Sequence, residues 1–173
     1  MSGAFSTAFV SLGSNLGERA ALLAFAVEAL QSSAQIHVEA VSAVYETDPI
    51  GPPPQQAYLN AVVELRTRLE PRALLGELLA IEERAGRTRS GVRNEARRLD
   101  LDLLLYDDLV LELPGLVVPH PRLHERAFAL EPLCDLAADL VHPGRGESIA
   151  SLAGRVRDPN AVRRLGPLHY STI

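Results

Sequence analysis

Asp100 and Asp102 stand two residues apart in the run RRLDLDLLLY, and six arginines, Arg84, Arg87, Arg89, Arg93, Arg97 and Arg98, lie directly before them. In an extended strand alternate side chains share a face, so the two carboxylates point one way and Leu99, Leu101 and Leu103 the other. At ~6 Å and an effective dielectric of about 20 such a pair repels by about 3 kcal/mol, and aspartate is a poor strand former besides. A nearby cation offsets that cost. Hard oxygen ligands suit Mg²⁺, which takes one or two protein carboxylates and completes its shell with water and substrate phosphates. Guanidinium forks bind phosphate oxygens bidentately and keep their charge. An Asp-x-Asp alone fits the solvated face of a half-exposed strand equally well. Its combination with an arginine-dense, glycine-punctuated segment predicts a magnesium-nucleotide site.

The elements that must position these residues follow from periodicity. Thr7 to Leu12 reads as a strand, and the turn Gly13-Ser14-Asn15 leads into a helix from Glu18 to Gln31 with Leu22, Leu23, Ala26, Val27 and Leu30 as its apolar stripe. Ile36 to Tyr45 is β-rich and Tyr58 to Arg66 is a further strand; the proline-rich segment Glu46 to Ala57 between them is a loop. Pro71 suits the first turn of a helix running to Arg84, with Leu74, Leu75, Leu78 and Ile81 on its inner face. The Asp-x-Asp strand follows, then a turn at Asp107-Asp108, short strands at Leu109 to Glu112 and Leu116 to Val118, and short helices near Phe128 to Leu136 and Ile149 to Gly154. This order predicts an α+β, ferredoxin-like βαββαβ core, an antiparallel sheet with two helices on one face and extra C-terminal elements. One domain, residues 1–154, is expected, with the arginine-rich stretch 155–173 as a loosely docked tail.

Composition bounds the partners. A chain of 173 residues with 47% hydrophobic residues buries one core, and a formal net charge of -5 argues against a general nucleic-acid binder. The N-terminal MSGAFSTAFVSLGSN shows no basic leader before an apolar stretch, and the apolar run from Leu99 stops at Asp107 and Asp108, well short of a membrane span. A cytoplasmic monomer acting on small molecules, with neither nucleic acid nor membrane as partner, is expected. The single cysteine, Cys134 in EPLCDLA, reads as a packing residue. His120 and His124 have the i, i+4 spacing of zinc ligands, but Pro121 intervenes and no third soft ligand is evident. His37, His142 and His169 have no supporting context.

Several ordered motifs, SLGSNLG, ETDPIGPPPQQAYLNAVVEL, IEERAGRTR, RRLDLDLLLY and VPHPRLHERAFALEPL, give the chain a resemblance to the hydroxymethyldihydropterin pyrophosphokinases of folate biosynthesis from about Thr7 to Gly154. The resemblance implies a ferredoxin-like fold and transfer of the β,γ-diphosphoryl group of ATP to the hydroxymethyl group of 6-hydroxymethyl-7,8-dihydropterin, releasing AMP. It assigns Asp100 and Asp102 to two Mg²⁺ ions that bridge the ATP phosphates. It places Arg87, Arg97 and Arg126 near those phosphates, Arg89 and Arg93 in a loop that closes over them, and His120 on the nucleotide side. It seats the pterin between Tyr58 and Phe128, with Thr47, Asn60 and the backbone near Ile50 and Gly13 supplying hydrogen bonds. Without it, Tyr58 and Phe128 read as core aromatics, whereas Asn60 inside YLNAVVEL needs its amide satisfied.

The chain departs from the family pattern at Asn94-Glu95-Ala96, where an aromatic residue and Gly-Pro are common, and at Arg98, which replaces a threonine. Arg98 is expected to pair with Glu95 or to contact nucleotide. Asp48 lies where a proline is frequent, and Gly115 and Pro121 are lesser departures.

Overall fold

The first predicted strand is the middle of a longer one, Ser6–Ser14 (β1), which lies inside the main sheet of a computed structural model describing residues 3–49, 55–86 and 98–173. Ile50, Arg87, Arg89, Arg93, Arg97 and the Asn94-Glu95-Ala96 departure lie outside the described residues. After β1 come α1 (Arg19–Gln31), β2 (Ile36–Val41), β3 (Ala43–Thr47), β4 (Tyr58–Thr67), α2 (Pro71–Arg84) and β5 (Asp100–Tyr106). The remaining elements are the hairpin β6 (Leu111–Leu113) and β7 (Leu116–Val118), a 3-10 turn at Leu123–Glu125, α3 (Ala127–Ala137), α4 (Ile149–Val156) and β8 (Val162–Pro167).

The sheet runs β5-β1-β4-β3-β8, with β2 also paired to β4, and its pairings are antiparallel. The β-rich run divides at Ser42, because β2 and β3 pair with successive parts of β4. There the Ser42 amide donates to the Val62 carbonyl at 2.9 Å, and the Val62 amide donates back to Ser42 Oγ at 2.8 Å. A hydroxyl thus stands in for one backbone acceptor, and β2 and β3 act as one bent strand. With that, the order is the expected ferredoxin-like βαββαβ core.

Both faces of the sheet are covered. The stripes of α1 and α2, including Leu23, Val27, Leu30, Leu74, Leu78 and Ile81, pack on one face against Val10, Leu12, Val63, Leu99 and Leu101. On the other face Leu130 and Leu133 of α3 and Ile149 and Leu152 of α4 pack against Phe9, Val62, Leu104 and Leu105. The second layer is held by Asp135 of α3, which accepts from the Tyr45 hydroxyl at 2.9 Å and the Ala43 amide at 3.2 Å. Burial and this carboxylate push the Tyr45 hydroxyl up to about 12.

Three expectations need correction. The segment predicted as a loop from Glu46 begins two residues later, since Glu46 and Thr47 pair with Leu59 and Tyr58. The short strand predicted at Leu109 to Glu112 forms instead at Leu111–Leu113, opposite Leu116–Val118. The stretch after Gly154 is not a loosely docked tail: α4 continues to Val156, and β8 adds an edge strand on β3 from Val162 to Pro167. Its alternating register was hidden because the β8 side chains are partly or fully exposed, so strand formation there rests on backbone pairing and ion pairs rather than on an apolar stripe.

Candidate active site

Register brings the predicted residues to one end of one sheet face. Gly13 of β1 sits opposite Asn60 on one side and Asp100 on the other. Ser11 pairs with Asp102, and Thr47 with Tyr58. Because alternate residues share a face, Asp100, Asp102, Gly13, Tyr58, Asn60 and Thr47 lie on the α3 side of the sheet. Leu99, Leu101 and Leu103 are buried with α1 and α2 on the opposite side, as the alternation requires.

Asn60 is 6% and Thr47 5% exposed, and the Asn60 Nδ2 donates to Thr47 Oγ1 at 2.8 Å. A Cβ on Gly13 would stand 3.1 Å from Asn60 Oδ1 and 3.7 Å from Tyr58 Cδ1. Glycine therefore leaves the space beside the amide oxygen and the tyrosine ring unfilled from the neighbouring strand. The loop after β1 is tied to the same region, since the Asn15 side-chain amide donates to Gln55 Oε1 at 2.8 Å.

At the other end of the row, Arg126, the N-cap residue of α3, places a guanidinium nitrogen 3.6 Å from Asp102 Oδ2. Its guanidinium carbon lies 5.5 Å from the centre of the Phe128 ring, within cation-π range. Phe128, the second residue of α3, packs at the edge of the helical layer. His120 is anchored by its amide, which donates to the Leu104 carbonyl at 2.9 Å. Burial, reinforced by the Arg126 charge and opposed by Asp100, lowers its imidazole from 6.5 to about 4. It is neutral at pH 7. Its Nδ1 accepts from the Arg122 amide at 3.1 Å, which leaves the proton on Nε2.

The two aspartates supply only hard oxygen donors, and among the described residues no group of three His, Cys, Asp or Glu is placed to hold a metal ion. Two carboxylates without a third ligand fit a cation that draws the rest of its shell from water and phosphate. They do not fit an all-protein cage or a zinc site.

The two of these arginines that lie among the described residues, Arg84 and Arg98, do not turn toward the carboxylates. Arg84 lies 5.4 Å over the Phe25 ring of α1. Arg98 donates from Nε to the Ala85 carbonyl at 2.9 Å, at the C-cap of α2, and its guanidinium lies against Gly17. The side chain expected to reach nucleotide or Glu95 is engaged in joining the start of β5 to the end of α2.

One residue missed in the sequence bears directly on the acidic strand. Glu82 is 2% exposed and accepts the Leu101 amide, between the two aspartates, at 3.2 Å. Together with the bond from His120 to Leu104, it covers the outer edge of β5, which would otherwise be open to pairing. The signal was present: Glu82 follows Leu78 by four residues and so falls on the buried stripe of α2.

The family described as 7,8-dihydro-6-hydroxymethylpterin-pyrophosphokinase matches residues 9–138. The 2-amino-4-hydroxy-6-hydroxymethyldihydropteridine pyrophosphokinase of Haemophilus influenzae is 37% identical over 157 residues, covering 91% of this chain and 97% of that protein. The Bacillus subtilis protein of the same name is 45% identical over 129 residues, covering 75% of this chain and 77% of its own. The folic acid synthesis protein fol1 of Pneumocystis carinii is 41% identical over 150 residues, and this chain spans 20% of its length. Among solved structures, an HPPK-DHPS in complex with substrates aligns with a TM-score of 0.73 at 13% identity, over 96% of this chain and 48% of that one, which speaks to the fold alone. The chain belongs to the 7,8-dihydro-6-hydroxymethylpterin-pyrophosphokinase family and is an ATP-dependent pyrophosphokinase of folate synthesis.

Proposed function

We propose that the acidic end of the row takes Mg-ATP and the amide end takes the dihydropterin, so that the two substrates meet over Gly13. The observation carrying this reading is the register itself. Asp100, Gly13 and Asn60 stand side by side on three neighbouring strands. In the reaction the pterin hydroxymethyl oxygen attacks the β-phosphorus of ATP, the bond from that phosphorus to the α,β-bridging oxygen breaks, AMP departs, and the hydroxyl proton passes to solvent. Phosphoryl-type transfer leans on positioning and charge neutralisation more than on a strong base. No dedicated base is assigned.

In this reading Asp100 and Asp102 hold two Mg²⁺ ions, which when bound neutralise phosphate charge and orient the reacting groups. Arg126 turns from Asp102 toward the phosphates, with Arg87 and Arg97 beside it and Arg89 and Arg93 closing over them. Neutral His120 donates from Nε2 to nucleotide. Tyr58 and Phe128 stack on the two faces of the pterin, and Thr47, Asn60, Ile50 and Gly13 meet its polar edge. A flat heterocycle with donors on its rim is recognised by this combination of rings and fixed amides. The working unit is the whole sheet with its helices, β8 included, acting as a cytoplasmic monomer on small molecules alone.

Asp100→Ala and Asp102→Ala test the metal assignment. Each is expected to lower kcat by about two to four orders of magnitude while leaving pterin affinity much less affected. Wild-type turnover in either variant would remove the carboxylates from the mechanism.

A further inference from the structure

Behind the amide end of the site, on the α1 side of the sheet, four charged side chains form a chain of ion pairs that the reaction does not use. Glu46 lies between two guanidiniums, with Oε2 3.4 Å from Arg19 of α1 and Oε1 3.3 Å from Arg163 of β8. The same Arg163 nitrogen is 3.2 Å from Asp48 Oδ1. Arg19 also donates to the Ala57 carbonyl at 2.6 Å. Backbone contacts reinforce the arrangement: the Asp48 amide donates to the Ala161 carbonyl at 3.3 Å, and Arg163 donates to the Asn160 carbonyl at 2.8 Å.

The positions of these contacts matter more than their individual strengths. Arg163 holds the residue that follows Thr47, Arg19 holds the residue that precedes Tyr58, and Thr47 and Tyr58 are the last register pair of β3 and β4. Glu46 joins the two cations. Glu46 and Asp48 are two apart, so both fall on the face opposite Thr47 and would repel each other without the guanidinium that bridges them. Isolated surface ion pairs contribute little to stability. A network that straddles the loop end of a hairpin acts instead on the spacing of the residues at that end.

We infer that Arg19, Glu46, Arg163 and Asp48 form a positioning clamp that fixes the separation of Thr47 and Tyr58, and with it the Thr47–Asn60 hydrogen bond, for the pterin. The C-terminal strand β8 thereby serves the pterin side of the site without touching substrate. The inference rests on the reading of Thr47, Tyr58 and Asn60 as the pterin side.

The test is calorimetric titration of the full chain with oxidised 6-hydroxymethylpterin in the presence of Mg²⁺ and α,β-methylene-ATP, and separately with that nucleotide alone. Thermal melts accompany each variant. Arg163→Ala is expected to weaken pterin binding about three- to tenfold, the range that two exposed ion pairs support. Nucleotide Kd should stay within about twofold and Tm within about 2 °C. Arg163→Lys, which keeps a single bridging cation, should recover most of the affinity, and Asp48→Asn added to Arg163→Ala should recover part by removing the repulsion. Pterin affinity unchanged in Arg163→Ala, while Asn60→Ala still weakens it, overturns the clamp and leaves the site reading standing. Equal loss of pterin and nucleotide binding with a falling Tm also overturns it, as a general structural defect. Absence of pterin binding in the wild-type chain, or indifference to Asn60→Ala, overturns the site reading and the clamp with it.

Discussion

Gly13 is the residue on which the two halves of the site depend, because it is paired with Asn60 on one side and Asp100 on the other. A methyl group there would press on Asn60 Oδ1 from 3.1 Å. Gly13→Ala is therefore expected to raise the pterin KM several-fold and leave nucleotide affinity unchanged, a split that steady-state kinetics with each substrate varied in turn would detect. His142 offers a second prediction. It is 5% exposed, its Nδ1 accepts from the Gly144 amide at 3.2 Å, and its Nε2 has no hydrogen-bond partner among the described residues. Burial, with the charge of Arg145, lowers its pKa from 6.5. Below that value the unfolded chain takes up a proton that the folded chain resists, so stability is complete above about pH 6.5 and declines as the pH falls. Urea midpoints should drop between pH 7.5 and pH 5, and His142→Phe should flatten the drop, with His120 retaining a share because it is shifted in the same direction. A slope unchanged in His142→Phe would contradict this.

At the scale of elements, β5 is an edge strand whose carboxylates are positioned by what lines its outer side. Glu82→Ala removes the acceptor of the buried Leu101 amide, an expected loss of about 1–3 kcal/mol measured by urea unfolding. Arg98→Ala should leave nucleotide affinity within about twofold while lowering stability by about 1 kcal/mol, since the side chain is engaged with the Ala85 carbonyl. Strong loss of nucleotide binding would return Arg98 to the phosphates. What could be read beforehand follows the same division. The stripes of α1 and α2 and the alternation of Asp100 to Leu103 were legible because periodicity reports burial directly. The burial of Glu82 could be read from its place four residues after Leu78, but its partner, a backbone amide 19 residues away, could not. Nor could β8, whose strand character lies in pairing with Ala43–Thr47 and whose side chains are partly exposed.

For the whole molecule, the ferredoxin-like core supplies a floor, and the α3 layer supplies the wall that brings Arg126 and Phe128 to it. The folate-pathway motifs were legible because they are ordered along the chain; their convergence on one face was not, because it depends on strands up to about ninety residues apart entering one register, as Gly13 and Asp100 do. The reaction moves two phosphoryl groups in one step, and its products reveal that directly. Purified protein incubated with Mg-ATP and reduced 6-hydroxymethyl-7,8-dihydropterin, its nucleotides resolved by anion-exchange chromatography, should release AMP in equal amount to pterin diphosphate. Accumulation of ADP with a pterin monophosphate would contradict the account.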